Sequence, residues 1–292
     1  MKKVIYCLLI ATCVCGSLLA KGHKKKRRKK SITSEHHIRG HEDHEMHLFK
    51  EFGIYACLIG DTSNPETKEY HISDMQKIED MLRHIASEAH VPLHLTKLEG
   101  ASANFDAIKK EAIRARKRKF RHFQFLYYTG EECKASHGKD TSLVLHLAQK
   151  GSKGTKGITQ QALEAFFGTH IGSFFTLSFA DCYKSIKTIE GSFLPYEVVS
   201  VGENKIKNLC MRPQLLLPIA SKKKYKKAFG FADETTKGGM STQALCHAVF
   251  ASSCSTWKEL VRGMKKELNV HGQEMYSDLS YYKAEDFPLL VK

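Results

Sequence analysis

The sequence lacks the cysteine spacing of a zinc site or of a disulfide framework, because none of its nine cysteines falls in a CxxC pair. Three belong to the N-terminal apolar stretch, and the other six are Cys57, Cys133, Cys182, Cys210, Cys246 and Cys254. Several of these six lie in apolar runs, which is typical of buried reduced thiols. We therefore expect a domain held together by its apolar core, without a cofactor. Export of the protein would reopen the question of disulfides.

The apolar run at the start of the sequence is short for a membrane span. Met1–Ala20 begins with a lysine pair, continues with an apolar stretch from Val4 and ends in small residues, which is the layout of a secretory signal. A segment of this length is at the short limit for crossing a bilayer. Residues 1–20 are thus predicted to be a signal peptide or an uncleaved membrane anchor. The protein is then either exported, to the periplasm or outside the cell, or anchored in a membrane.

Acidic residues are absent before Glu35, whereas a dense basic block follows the apolar leader. The block consists of Lys24, Lys25, Lys26, Arg27, Arg28, Lys29 and Lys30. It accounts for much of the net charge of +15, so the high isoelectric point belongs mainly to this tail. Such a block predicts attachment to an anionic surface, either a membrane or a nucleic acid.

Histidines alternate with carboxylates in the segment that follows the basic block. The pairs His37/His41 and His44/His47 have the spacing of residues on one helix face, and imidazole clusters can bind zinc, copper or nickel. Closed metal sites need fixed partners around their ligands, which a low-complexity segment rarely supplies. We therefore interpret residues 21–50 as a solvated, disordered linker without a metal, and residues 51–292 as the folded domain.

Apolar runs alternate with amphipathic stretches throughout residues 51–292. Strands are predicted at Phe52–Gly60, Leu93–Leu98, Phe123–Gly130, from Phe174, at Gln214–Ala220 and at Phe287–Val291. The first helix is predicted to begin near Ile72 with Ser73 and Asp74 as its caps. This order indicates a three-layer α/β/α sandwich around a mostly parallel six-stranded sheet. In such folds the site lies at the carboxyl edge of the strands.

The third and fourth strands end in recognisable residues, Tyr127-Tyr-Thr-Gly130 and Asp181-Cys-Tyr-Lys-Ser185. From about Phe52 to the C-terminus the chain resembles the caspase and metacaspase superfamily of cysteine peptidases. Its corresponding strands end in Tyr-Tyr-Ser-Gly-His-Gly and Asp-Ser/Cys-Cys-His-Ser-Gly motifs. Further landmarks of the resemblance occur in the same order, at Leu58–Gly60, Ser73–Asp74, Gly238–Leu245 and Thr256–Leu260. The resemblance implies a caspase-like fold with a substrate groove at the strand ends.

Both catalytic positions of that family are substituted in this sequence. The ungapped match places Glu131 at the general-base histidine and Tyr183 at the nucleophilic cysteine. A carboxylate with a pKa of about 4.3 rarely carries the proton that a departing amine needs, and tyrosine, with a pKa of about 10, is a weak nucleophile. We therefore predict a catalytically inactive pseudopeptidase, a binding or regulatory module that holds a protein or peptide in the former substrate groove.

An alternative interpretation shifts the match to the family's motif by one residue and predicts an active peptidase. Cys182 would then be the nucleophile, and His137 in the following loop would be the base. The shift reverses the side-chain direction at the strand end, because neighbouring strand residues face opposite ways. The resemblance also places Asp181 where metacaspases have an acidic residue that binds a basic substrate side chain. Retention of Asp181 predicts a groove that still binds arginine or lysine.

Overall fold

The computed structural model describes residues 52–118, 121–134, 143–148, 155–167, 173–187, 197–210, 215–222 and 230–277. The predicted leader, the basic and histidine-rich linker and the strand predicted at Phe287–Val291 all lie outside these residues, as does His137.

The strands are β1 (Phe52–Gly60), β2 (Leu93–Glu99), β3 (Arg121–Gly130), β4 (Glu132–Lys134), β5 (Leu143–Ala148), β6 (Thr155–Thr159), β7 (Ser173–Lys187), β8 (Leu215–Lys222), β9 (Gly230–Asp233), β10 (Gly238–Gly239) and β11 (Glu274–Ser277). The helices are α1 (Lys68–Glu88), α2 (Phe105–Arg116), α3 (Gln160–Phe167), α4 (Glu203–Cys210), α5 (Met240–Phe250) and α6 (Trp257–Val270).

Five parallel strands form the centre of the fold, in the order β2-β1-β3-β7-β8. β11 pairs antiparallel with β8 and completes a six-stranded, mostly parallel sheet. β9 and β10 extend this sheet beside the end of β7. The predicted fold class is therefore confirmed, and among the described residues the antiparallel edge strands are Glu274–Ser277 and Gly238–Gly239. Neither of these edge strands was predicted from the sequence.

Each face of the sheet is covered by helices, because the central strands are apolar on both sides. Ile54, Ala56 and Leu58 of β1 pack in one core with α1, α4, α5 and α6. Tyr55 and Cys57, which face the other way, pack in a second core with α2 and α3. This gives the three layers that the alternating sequence pattern predicts. No helix of the described segments combines the length and the apolar character that crossing a bilayer requires.

A second, smaller sheet occupies part of the glycine- and lysine-rich stretch between β3 and α3. β4, β5 and β6 pair antiparallel in chain order. Leu145, Leu147 and Ile158 of this sheet are buried in the second core, beside the end of β3. The small sheet therefore lies against one side of the strand ends where the site is expected.

The start of α1 corrects one expectation from the sequence. The helix begins at Lys68 with Thr67 in the N-cap position, so Ser73 and Asp74 lie inside the helix and do not cap it. Asp74 is fully buried, and so is His71 one turn before it. The apolar stripe of this helix thus begins with polar residues that face the end of the sheet.

Candidate functional site

The carboxyl ends of β3 and β7 meet as the sequence predicts. Thr129 pairs with Asp181 and Gly130 pairs with Cys182 in the parallel register. Glu131 and Tyr183 are the next residues along the two chains, so the two substituted positions directly follow a pair of neighbouring residues in the sheet. β7 does not end there, because it continues to Lys187 and pairs with β9.

Tyr183 is fixed inside the protein. Its side chain has no exposed surface, and its hydroxyl donates a hydrogen bond of 2.8 Å to Oδ2 of Asp74. Its ring stacks on the imidazole of His71, with 4.5 Å between the ring centroids. Burial and the nearby carboxylates of Asp74 and Asp181 raise the pKa of the Tyr183 hydroxyl well above its ordinary value of 10. This hydroxyl therefore stays protonated and directed inward.

Asp74 receives hydrogen bonds from three directions. Besides the hydroxyl of Tyr183, the backbone N–H of Gly239 donates to both carboxylate oxygens at 2.9 Å, and Thr129 Oγ1 lies 3.4 Å from Oδ2. Burial is the main reason that the pKa of Asp74 rises to about 7, and the negative charge of Asp181 adds to the effect. The ammonium of Lys77, 3.8 Å from Oδ1, opposes it.

His71 belongs to a chain of hydrogen bonds that leads to Asp74. Its Nε2 lies 3.1 Å from Thr67 Oγ1, and its Nδ1 lies 2.9 Å from Thr129 Oγ1. Because Thr129 directs its own hydroxyl hydrogen toward Asp74, the consistent arrangement has Nδ1–H of His71 donating to Thr129. Burial lowers the pKa of His71 to about 4, although the charge of Asp61 opposes this. The imidazole is therefore neutral near pH 7.

Asp181, the predicted substrate pocket, is also buried and already bound. Its Oδ2 accepts hydrogen bonds of 2.7 Å from both the backbone N–H and the hydroxyl of Thr242. Tyr127 extends this chain, since its hydroxyl lies 2.7 Å from Thr242 Oγ1. Asp181 has no exposed surface, so a basic substrate side chain does not reach this carboxylate in the observed arrangement.

Gly239 lies where the two buried carboxylates come together. A Cβ atom at this position would lie 2.8 Å from Cγ of Asp181 and 2.8 Å from Cε1 of Tyr183, which is closer than real contacts allow. The backbone of Gly239 is extended, with φ −67° and ψ 135°, so the glycine is required for space and not for its conformation. The Gly238-Gly239 motif thus allows β10 to contact Asp74 and Asp181 at once.

Glu131, which the resemblance places at the general-base position, is partly exposed. Its Oε1 accepts a hydrogen bond of 2.5 Å from Nδ2 of Asn64 in the loop after β1. Its backbone carbonyl accepts a hydrogen bond of 3.2 Å from the hydroxyl of Tyr128. Glu131 therefore joins the loops at the sheet edge and remains within reach of solvent.

The alternative pair is not brought together among the described residues. Cys182 has no exposed surface and lies in the second core with Tyr128 and Ala180, on the opposite face from Tyr183. The described cysteines whose state is defined, Cys57, Cys182, Cys210, Cys246 and Cys254, are all buried and unbridged. Since His137 lies outside the described residues, its distance from Cys182 is undefined.

A histidine that the sequence analysis did not single out lies near the same edge. His146 of β5 donates its backbone N–H to the hydroxyl of Tyr128 at 2.9 Å, and its Nδ1 lies 3.6 Å from Oδ2 of Asp61. Burial alone would raise the pKa of Asp61, but the nearby imidazole of His146 and the hydrogen bond from the backbone N–H of Ser63 outweigh it, so the pKa of Asp61 is lowered. This contact fastens the small sheet to the end of β1.

The described part of the chain contains no group of three or more His, Cys, Asp or Glu side chains arranged to hold a metal ion. The weak candidates from the sequence, His37, His41, His44 and His47, lie outside that part. In physical terms the described site is a sealed network of hydrogen bonds around two buried carboxylates.

Comparisons with known proteins add little to this picture. No protein-family model matches the chain, and neither does any curated protein. One solved structure that matches is the crystal structure of protein GSU0716 from Geobacter sulfurreducens, a structural genomics target. It aligns with a TM-score of 0.45 and 11% sequence identity, over 77% of this chain and 92% of that one. Similarity at this level supports no conclusion about function.

Proposed function

We propose that this chain is a caspase-like pseudopeptidase, a binding or regulatory module that has lost peptidase chemistry. The observation that carries the proposal is the state of Tyr183, at the position of the family's nucleophile. Its hydroxyl is buried and donates a hydrogen bond to Asp74, and its ring stacks on the neutral imidazole of His71. A nucleophile must reach the substrate carbonyl and lose its proton, and neither is open to this hydroxyl.

The residue at the base position supports the same reading. Glu131 is partly exposed, and its carboxylate accepts a hydrogen bond from Asn64. The two substitutions together leave no proton donor for the departing amine. The groove would bind a peptide without cleaving it.

Charge at the sheet edge favours a basic peptide or protein segment as the ligand. Four carboxylates lie at the edge or on the neighbouring loops and the start of α1: Glu66, Glu69, Glu131 and Glu234. Asp233 and Glu234 lie close enough to Tyr70 of α1 to raise the pKa of its hydroxyl, after the effect of burial. Since Asp181 is sealed by Thr242, these outer carboxylates would bind the lysine or arginine of the ligand.

The N-terminal region would determine where this module works. We propose that Met1–Ala20 directs the protein out of the cytoplasm or anchors it to a membrane, as its sequence layout predicts. The basic block from Lys24 to Lys30 would hold the domain near an anionic surface.

Thiol labelling tests the loss of peptidase chemistry. We expect a peptide electrophile directed at active-site thiols to label native Cys182 no faster than it labels Cys254, because both thiols are buried. Urea should make all cysteines react. The measurement is mass-resolved labelling of the purified protein, with Cys182→Ala as the matched control. Fast labelling at Cys182 that disappears in His137→Ala would overturn the proposal and support the active cysteine endopeptidase.

Restoring the family's residues tests the resemblance itself. In a Cys182→Ala background, Tyr183→Cys combined with Glu131→His should react with iodoacetamide at least about tenfold faster than Tyr183→Cys alone. If the two positions form the family's pair, the new imidazole lies beside the thiol, lowers its pKa and increases its thiolate fraction beyond the effect of His71, which both variants share. Labelling rates measured against pH would check this. Equal rates in the two variants would mean that positions 131 and 183 do not form the family's pair.

A further inference from the structure

The outward face of α2 is strongly basic. The core side of this helix is formed by Ile108, Glu111, Ala112 and Ala115, which are buried against the sheet. The exposed residues of α2 and its C-cap that follow the first turn are Lys109, Lys110, Ile113, Arg114, Arg116 and Lys117. At 100° per residue, Lys109, Ile113 and Lys117 form one stripe, with Lys110 beside it. This surface, which we call the α2 face, carries positive charge along its whole length.

The two arginines of the α2 face have partners within the protein, and its lysines make no ion pair among the described residues. Arg114 makes a hydrogen bond of 2.5 Å with Glu111, and Arg116 donates to the backbone carbonyl of Ala165 at the end of α3. Across the described segments, the three lysines make no ion pair with any carboxylate. Charge that the protein leaves uncompensated is available to a partner.

The centre of the α2 face is apolar, because Ile113 is 45% exposed. Lysine stems extend their own apolar atoms around it while the ammonium groups reach outward. An amphipathic helix that lies on an anionic bilayer has this composition: an apolar side chain enters the headgroup region, and lysines contact the phosphates. Single-stranded nucleic acid would favour aromatic side chains for stacking, and none occurs among the exposed residues of this face, whose central side chain is aliphatic.

We propose that the α2 face binds anionic phospholipid headgroups and holds the folded domain against a membrane surface. The N-terminal sequence supports the same partner, since the apolar Met1–Ala20 is followed directly by the basic block of Lys24–Lys30. Stable membrane attachment generally takes two signals, and one basic patch alone gives reversible binding. The α2 face would supply a contact from the folded domain itself. This proposal is independent of whether the chain cleaves peptides.

Vesicle binding by the full chain tests the proposal. The variant Lys109→Glu, Lys110→Glu, Lys117→Glu should bind vesicles of phosphatidylcholine with 30% phosphatidylserine at least about tenfold more weakly than wild type in 0.1 M salt. The matched control is Lys258→Glu, Lys265→Glu, Lys266→Glu on α6, which packs in the opposite helical layer. The control changes the net charge equally but lies away from the α2 face. Its binding to the vesicles should therefore weaken by less than about threefold. Thermal unfolding of both variants would confirm that they are folded.

A tryptophan at position 113 reports the contact directly. The natural Trp257 is buried, so the fluorescence of Ile113→Trp should gain an exposed component that shifts to shorter wavelength when the anionic vesicles are added. This readout works even if the leader alone keeps the chain on the vesicle. An unshifted emission, or equal binding by the two triple variants, would overturn the proposal. Tighter α2-dependent binding to duplex DNA or RNA than to the vesicles would overturn the assignment to lipid.

Discussion

Replacing Asp74 with alanine should lower the free energy of unfolding by roughly 3 to 5 kcal/mol. Asp74→Ala leaves the hydroxyl of Tyr183 and the N–H of Gly239 buried without their acceptor, and each such loss costs about 1 to 3 kcal/mol. Asp74→Asn keeps a carbonyl oxygen at the same place and should lose much less. Urea unfolding at pH 7 measures both changes. Equal losses for the two variants would show that the acceptor does not matter.

The same carboxyl group should also make the stability depend on pH. Its pKa is about 7 in the folded protein, against an ordinary value of 3.8, so the folded state holds the proton more tightly between these values. The resulting stabilisation is fully present below pH 3.8 and is lost as the pH rises through 7. Between pH 3.8 and about 7, this contribution to the free energy of unfolding is at most about 4 kcal/mol.

Because other groups titrate in the same range, the difference between wild type and Asp74→Asn isolates this effect. Wild type should lose stability relative to Asp74→Asn as the pH is raised from 4 to 8, and the two curves should be flat relative to each other above pH 8. Parallel curves over the whole range would contradict a raised pKa for Asp74.

Replacing Gly239 with alanine should cost about 3 kcal/mol or more. The added methyl group would overlap the carboxylate of Asp181 and the ring of Tyr183. Hydrogen bonds hold Asp181 to Thr242 and Tyr183 to Asp74, so moving either side chain would cost further free energy. The alanine has no conformational penalty, because the backbone at Gly239 is extended.

Gly272→Ala is the matched control for this prediction. Its added methyl group meets no atom within 4 Å, but the residue has φ +72°. It should therefore lose only about 1 to 2 kcal/mol, from backbone strain alone. Thermal or urea unfolding distinguishes the two substitutions. A loss at Gly239 no larger than that at Gly272 would contradict the close packing around Asp181.

The main strands could be predicted because their signal is local. The apolar runs of β1, β3 and β7 are continuous enough to identify buried parallel strands from the sequence alone. The elements that were missed, β4, β6, α4, β9, β10 and β11, are all short, and short elements depend on contacts that the sequence does not show. The strand predicted at Phe287–Val291 stays a prediction.

The site was harder to predict, because the residues that contact one another in it are far apart in the sequence. Asp74 reads as a helix cap when only its neighbours are considered, yet its donor Gly239 is 165 residues away. A signal was present: Thr67, His71 and Asp74 repeat at intervals of four and three, which places polar residues on the apolar stripe of α1. Alternation along β7 predicts that Cys182 and Tyr183 face opposite ways, but it does not decide which of them faces α1.

The length of β7 has a consequence for how a partner would meet this protein. The strand runs for 15 residues and passes through Tyr183, which the resemblance places at the nucleophile position, while it changes neighbours from β8 to β9. A catalytic loop must open and close around each substrate, whereas a residue in the middle of a paired strand keeps one position. In the proposed binding role, a partner would therefore meet a strand whose backbone is already ordered, and binding would cost little ordering entropy in this strand.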